Sequence, residues 1–76
     1  MYNLGETIKL LRQKKNITQK QLAIDTELSE RGVQNYELNL RRPTYDVIIK
    51  LCQYFDVSAD YLLGLSDEPT RLPHQG

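Results

Sequence analysis

The most specific hydrogen-bonding chemistry in this sequence lies between residues 29 and 38. Arg31, Gln34 and Asn35 fall at i, i+3 and i+4, so a helix would set them in one outward stripe with Glu30 beside them. Val33, Tyr36 and Glu37 would then point inward. A guanidinium presents a planar fork of donors, a carboxamide presents both donors and an acceptor, and a carboxylate only accepts. Such a set suits a flat edge carrying paired donors and acceptors. Without further context it suits a solvated helix face equally well.

Covalent and metal chemistry lack parts. His74 is the single histidine and Cys52 the single cysteine, so neither a zinc set nor an internal disulfide can form. Cys52 falls on an apolar helix face and reads as a buried structural thiol. There is no glycine-rich phosphate loop. Asp56 and Asp60 read as helix-capping charges. Tyr2, Tyr36, Tyr45, Tyr54 and Tyr61 read as core or half-buried packing. The expectation is a protein that is not an enzyme and needs no cofactor or metal.

Charge is informative only when divided. The 76 residues hold ten basic and ten acidic side chains, a net charge of zero. Zero argues at first against a polyanion as partner. Residues 1–42, however, carry eight bases and five acids (+3), and residues 43–76 carry two bases and five acids (−3). Asymmetry of this kind can reserve one surface for an anion. No apolar run reaches the ~18–20 residues of a membrane span, and no secretory signal is visible, so a cytoplasmic setting is expected.

The elements that must position these residues are all helices. Leu4, Ile8 and Leu11 share one face of a first helix behind Asn3 and Glu6. Thr18 and Gln21 form a capping box opening a second helix over 18–26, with Leu22 and Ala23 inward. Ser29 caps a third over 29–38, and Asn39 tolerates the left-handed conformation that would stop it. Thr44 opens a fourth with Ile48, Leu51, Cys52 and Phe55 on its inner face. Ser58 opens a short fifth through Tyr61, Leu62 and Leu63, ended by Gly64. Residues 1–65 read as one all-α domain, and 66–76, with Pro69 and Pro73, as a flexible tail. No effector-binding domain is expected after Gly64.

The second and third helices are separated by about three residues, which forces the sharp crossing of a helix-turn-helix. Gln19-Lys20-Gln21-Leu22-Ala23, Leu28-Ser29, Val33-Gln34-Asn35-Tyr36-Glu37 and Arg41-Arg42-Pro43 come in order. They continue through Ile48, Leu51 and Phe55-Asp56-Val57-Ser58-Ala59-Asp60-Tyr61-Leu62-Leu63-Gly64. This series resembles the phage-repressor and Cro-type helix-turn-helix family over roughly residues 4–64. The family usually has Gly at the turn where this chain has Glu27, and frequent glycines are replaced by Asn39 and Asp56. Gly32 stands where Ser, Thr or Ala is commoner, and would permit close backbone approach.

The resemblance implies a compact five-helix, lambda-repressor-like domain whose third helix enters the major groove of double-stranded DNA. Glu30, Arg31, Gln34 and Asn35 would then read base edges. Arg31 would fork onto guanine, Gln34 and Asn35 would pair with adenine, and Glu30 would accept from cytosine. Thr18, Gln19, Lys20, Ser29, Arg41 and Arg42 are candidates for the DNA backbone, Gln19 through both its side chain and the helix N-terminus. The resemblance also implies a structural ion pair, Arg12 with Glu37, tying the first helix to the third.

The implied function is a sequence-specific transcriptional regulator, read as a repressor. A homodimer on a pseudo-palindromic operator is expected, because one domain this small makes few base contacts. Its interface is expected in the acidic half, around Ile49, Tyr54, Leu63 and Leu65. The rival reading is a protein-interaction module such as an antitoxin or anti-repressor. Binding to DNA that weakens steeply with salt separates the two.

Overall fold

Each helix in this chain begins and ends on a recognisable local device. The computed structural model describes residues 3–68. Within them run α1 (Leu4–Lys14), α2 (Gln19–Thr26), α3 (Glu30–Glu37), α4 (Tyr45–Phe55) and α5 (Ala59–Leu62), with no strand. Asn3, Thr18, Ser29, Thr44 and Ser58 are the N-caps. Each side chain accepts from a backbone N–H in the first turn, so it satisfies a donor that the helix leaves unpaired.

The other ends share a device too. Asn16, Glu27, Asn39, Asp56 and Gly64 all have positive φ, between 55° and 80°. The next residue is apolar in every case and its N–H turns back to a carbonyl five positions earlier. These bonds are Ile17 to Arg12, Leu28 to Ala23, Leu40 to Asn35, Val57 to Cys52 and Leu65 to Asp60, at 2.8–3.3 Å. This is the Schellman termination, which satisfies the last carbonyls and sends the chain off at a sharp angle. Only Gly64 is a glycine. Asn and Asp tolerate the conformation, whereas Glu27 bears a strain of about 1 kcal/mol. Asp56 is the left-handed end of α4, two residues before the Ser58 cap, and Asp60 lies in the first turn of α5.

The core is what these turns assemble. Ile8, Leu22, Ala23, Val33, Leu51, Cys52, Val57 and Leu62 are buried together, each supplied by a helix or by the turn after one. Burying a Leu, Ile or Val side chain contributes roughly 1.5–3 kcal/mol, so the cluster is the main source of stability. Ala23 is 4% exposed and Val33 1% exposed at the α2–α3 corner, the small residue and the plug that the crossing requires. Tyr36, Tyr54 and Tyr61 pack against the core's edge. Tyr45 does not. It is 77% exposed at the first position of α4.

The segment 66–76, read as a tail, falls mostly outside the described residues, as does Tyr2. Its first residues turn back toward α5. Ser58 Oγ donates to the Glu68 carbonyl at 3.5 Å, and Ser66 Oγ accepts from Glu68 N–H at 3.1 Å. Among the described residues, no helix is long and apolar enough to cross a membrane.

Candidate nucleic-acid interface

α3 has two faces with different tasks. Inward, Val33 and Glu37 are buried and Tyr36 is half-buried. Outward, Glu30 and Arg31 are exposed and Gln34 and Asn35 half-exposed. The polar stripe therefore stands on a helix whose opposite side is held by the core. Ser29 Oγ fixes the first turn by accepting from Gly32 N–H at 2.9 Å.

Glu37 is the second hold on α3. Arg12 Nε donates to its Oε2 at 2.6 Å and Arg12 Nη2 to its Oε1 at 3.1 Å. Arg12 Nη1 reaches the Ile17 carbonyl at 3.0 Å, which ties in the α1–α2 turn. The Arg12 and Glu37 side chains are 13% and 3% exposed, so this bidentate pair is largely dry. Charges taken from water need full pairing to be tolerated, and here the fork geometry supplies it.

Gln19 completes the group. Its Nε2 donates to Glu37 Oε1 at 3.1 Å. The side chain expected to hold a phosphate is therefore half-buried and committed to Glu37 by one of its two amide hydrogens. Gln21 N–H is taken by the Thr18 cap, and the N–H groups of Gln19 and Lys20 have no helical partner, which is the usual basis of anion binding there. Lys20, Arg41 and Arg42 are exposed at the ends of this surface, and Pro43 beneath the arginines is buried. Thr18 is exposed as well, and its hydroxyl is engaged as the α2 cap, accepting from Gln21 N–H at 3.0 Å.

Two groups of contacts go beyond what the sequence marks, apart from the i, i+4 spacing of Gln21 and Asp25. Tyr54 Oη donates to Asp25 Oδ2 at 2.5 Å, and Gln21 Nε2 donates to Asp25 Oδ1 at 2.7 Å. Lys15 Nζ lies 5.0 Å from the Tyr54 ring centre, a cation–π distance. The hydrogen bond from Tyr54 holds the Asp25 carboxyl below its ordinary value. The same bond pushes the Tyr54 phenol up to about 12. Together they fasten α2 to α4. Tyr54 is accordingly engaged within the chain, whereas Ile49, Leu63 and Leu65 are 38%, 39% and 71% exposed.

The second group concerns glycine. A Cβ on Gly32 would meet only Ser29 Oγ at 3.0 Å and the Tyr36 ring at 4.0 Å, so no other helix of this chain lies against it. The close approach is at Gly5. A Cβ there would lie 2.6 Å from both the Tyr36 and Glu37 carbonyl oxygens. No pattern in the sequence marks Gly5, because its neighbour is brought in by the α1–α3 crossing.

A short left-handed corner, a core-backed helix with an exposed polar stripe, and basic residues nearby define a helix-turn-helix domain. The chain belongs to the helix-turn-helix family, whose sequence profile matches residues 8–62. It is 40% identical over 62 residues to the HTH-type transcriptional regulator ImmR of Bacillus subtilis, covering 82% of this chain and 49% of that protein. It is 33% identical over 64 residues to the regulator YobD of the same organism, covering 84% of this chain and 57% of that one. The chain thus spans about half the length of these relatives. Among solved structures, the P22 c2 repressor bound to a synthetic operator superposes with a TM-score of 0.81 at 26% identity, over 87% of this chain and 100% of that one. The N-terminal DNA-binding domain of SinR from Bacillus subtilis gives 0.74 at 28% identity, over 79% and 88%.

Proposed function

We propose that this chain is a sequence-specific DNA-binding transcriptional regulator, acting as a repressor, that lays α3 in the major groove. The observation that carries this is the Arg31, Gln34 and Asn35 stripe, displayed on a helix that Val33 and Glu37 hold from behind. Arg31, Gln34, Asn35 and Glu30 read base edges. Lys20, Arg41, Arg42 and the first turn of α2 position the domain on phosphates. Thr18 and Ser29 combine capping with the option of donating their hydroxyl hydrogens outward. Gln19 serves mainly through its backbone and through its bond to Glu37. We assign no catalytic role and no cofactor, and place the protein in the cytoplasm with its DNA.

Two copies reading half-sites ~34 Å apart supply the specificity that one short helix lacks. The exposed Ile49, Leu63 and Leu65 in the acidic half are the proposed contact, a location that keeps negative charge away from the duplex. Selection from a random DNA pool tests the whole reading. The expected product is a pseudo-palindrome whose affinity falls steeply as salt rises. Absence of DNA binding at low salt would replace it with the protein-interaction reading.

A further inference from the structure

Base reading depends on where α3 sits to within a fraction of an ångström, and the C-terminal half of α3 rests on the first turn of α1. Gly5 is buried there beneath the Tyr36 and Glu37 carbonyls, closer than any side chain would allow. Its N–H, one that the start of α1 leaves without a helical partner, donates to Asn39 Oδ1 at 3.1 Å. Asn39 Nδ2 in turn donates to Asn3 Oδ1 at 3.0 Å. Asn3 is the cap of α1, and Asn39 is the left-handed residue that ends α3, with φ 60°. One asparagine therefore ends α3 and joins it to the start of α1.

We propose that Gly5 and Asn39 are positioning residues for base recognition, setting how deeply the C-terminal half of α3 stands relative to α1. This rests on the DNA-reading role proposed above. The clamp acts unequally along α3. Gln34 and Asn35 directly precede the Tyr36 and Glu37 carbonyls that lie over Gly5. Arg31 stands about 7.5 Å along the axis from Tyr36, in the first turn, which is held by the Ser29 cap instead. Loosening or wedging the clamp displaces Gln34 and Asn35 and spares Arg31.

The test is base preference at each operator position, measured on the folded fraction of Asn39→Gly and Gly5→Ala. Asn39→Gly keeps the positive φ without cost and removes only the bridging amide, so it folds even if Gly5→Ala does not. Profiles of Gln34→Ala and Arg31→Ala identify which base pairs each residue serves. Asn39→Gly is expected to lose on the order of tenfold preference at the Gln34 and Asn35 base pairs, with the Arg31 base pair unchanged. Equal loss at every position, or profiles matching the wild type, would overturn the clamp alone. A wild-type protein that selects no sequence would overturn the DNA-reading role, and the clamp with it.

Discussion

The α2–α3 and α4–α5 junctions are built to one plan, yet only the first leads to a reading surface. In one, Glu27 is left-handed, Leu28 turns back to Ala23 and Ser29 caps the next helix. In the other, Asp56, Val57 and Ser58 do the same. The helices beyond the two corners differ. α3 runs eight residues, and its last turn is held to α1 through Glu37 and Asn39. α5 runs four residues, carries Asp60 in its first turn and ends at once. The corner sets only a crossing angle. Recognition needs a helix of two turns whose far end is fastened and whose outward side chains suit bases rather than repel phosphates.

The largest expected difference between the two regions is in stability. Glu37→Ala leaves the Arg12 guanidinium buried without its partner and should cost about 3–5 kcal/mol. Asp60→Ala on α5 loses only a helix-dipole contact, within about 1 kcal/mol. Urea denaturation of both variants checks this, and equal losses would erase the contrast. In DNA binding, Arg31→Ala should cost about 1–3 kcal/mol of discrimination at one base pair. Arg42→Ala should instead weaken all sequences alike and lower the salt slope by about 1. Base-resolved affinities at two salt concentrations separate them, and Asp60→Ala should leave the profile untouched.

A smaller effect compares the two turns directly. Glu27→Gly should stabilise by up to about 1 kcal/mol by relieving left-handed strain. Asp56→Gly should gain less, since Asp adopts that conformation more readily. Thermal melts decide the order.

The smallest effect is the Asp25–Tyr54 tether, by which α2 but not α3 reaches α4. Its carboxylate contribution is complete above the ordinary Asp value and is lost as acid brings pH down through the lowered one. Its phenol contribution is complete below pH 10 and is lost as pH rises through about 12. Tyr54→Phe should flatten the melting temperature at both extremes.

The caps and turns are legible in the sequence because they are local. A Ser or Thr three residues before the N–H it accepts, and a polar residue before an apolar one at a helix end, repeat along this chain. Apolar spacing likewise places Ile8, Leu22, Val33, Leu51 and Leu62 in the core without any geometry. Tyr45 defies its residue type: an aromatic ring suggests packing, while at the first position of α4 it is left exposed. Gly32 stands out in the sequence and Gly5 does not, because a helical glycine looks the same whether or not another helix lies over it.

By itself, then, the sequence determined the number of helices, their starts and all their stops but that of α4, the inner and outer faces of α3, and the polarity of the two halves. All of these arise from interactions within a few residues or from simple counting. The tertiary structure alone decided that Gln19 is committed to Glu37, that Gly5 lies under α3, and that Tyr54 reaches Asp25. The bonds from Gly5 to Asn39, Arg12 to Glu37 and Tyr54 to Asp25 span 34, 25 and 29 residues. No local pattern encodes such separations, because they depend on the crossing angles of helices packed around a shared core. Even the Arg12–Glu37 pair is implied by family resemblance and not by spacing, and its closeness to Gln19 emerges only from the packed fold.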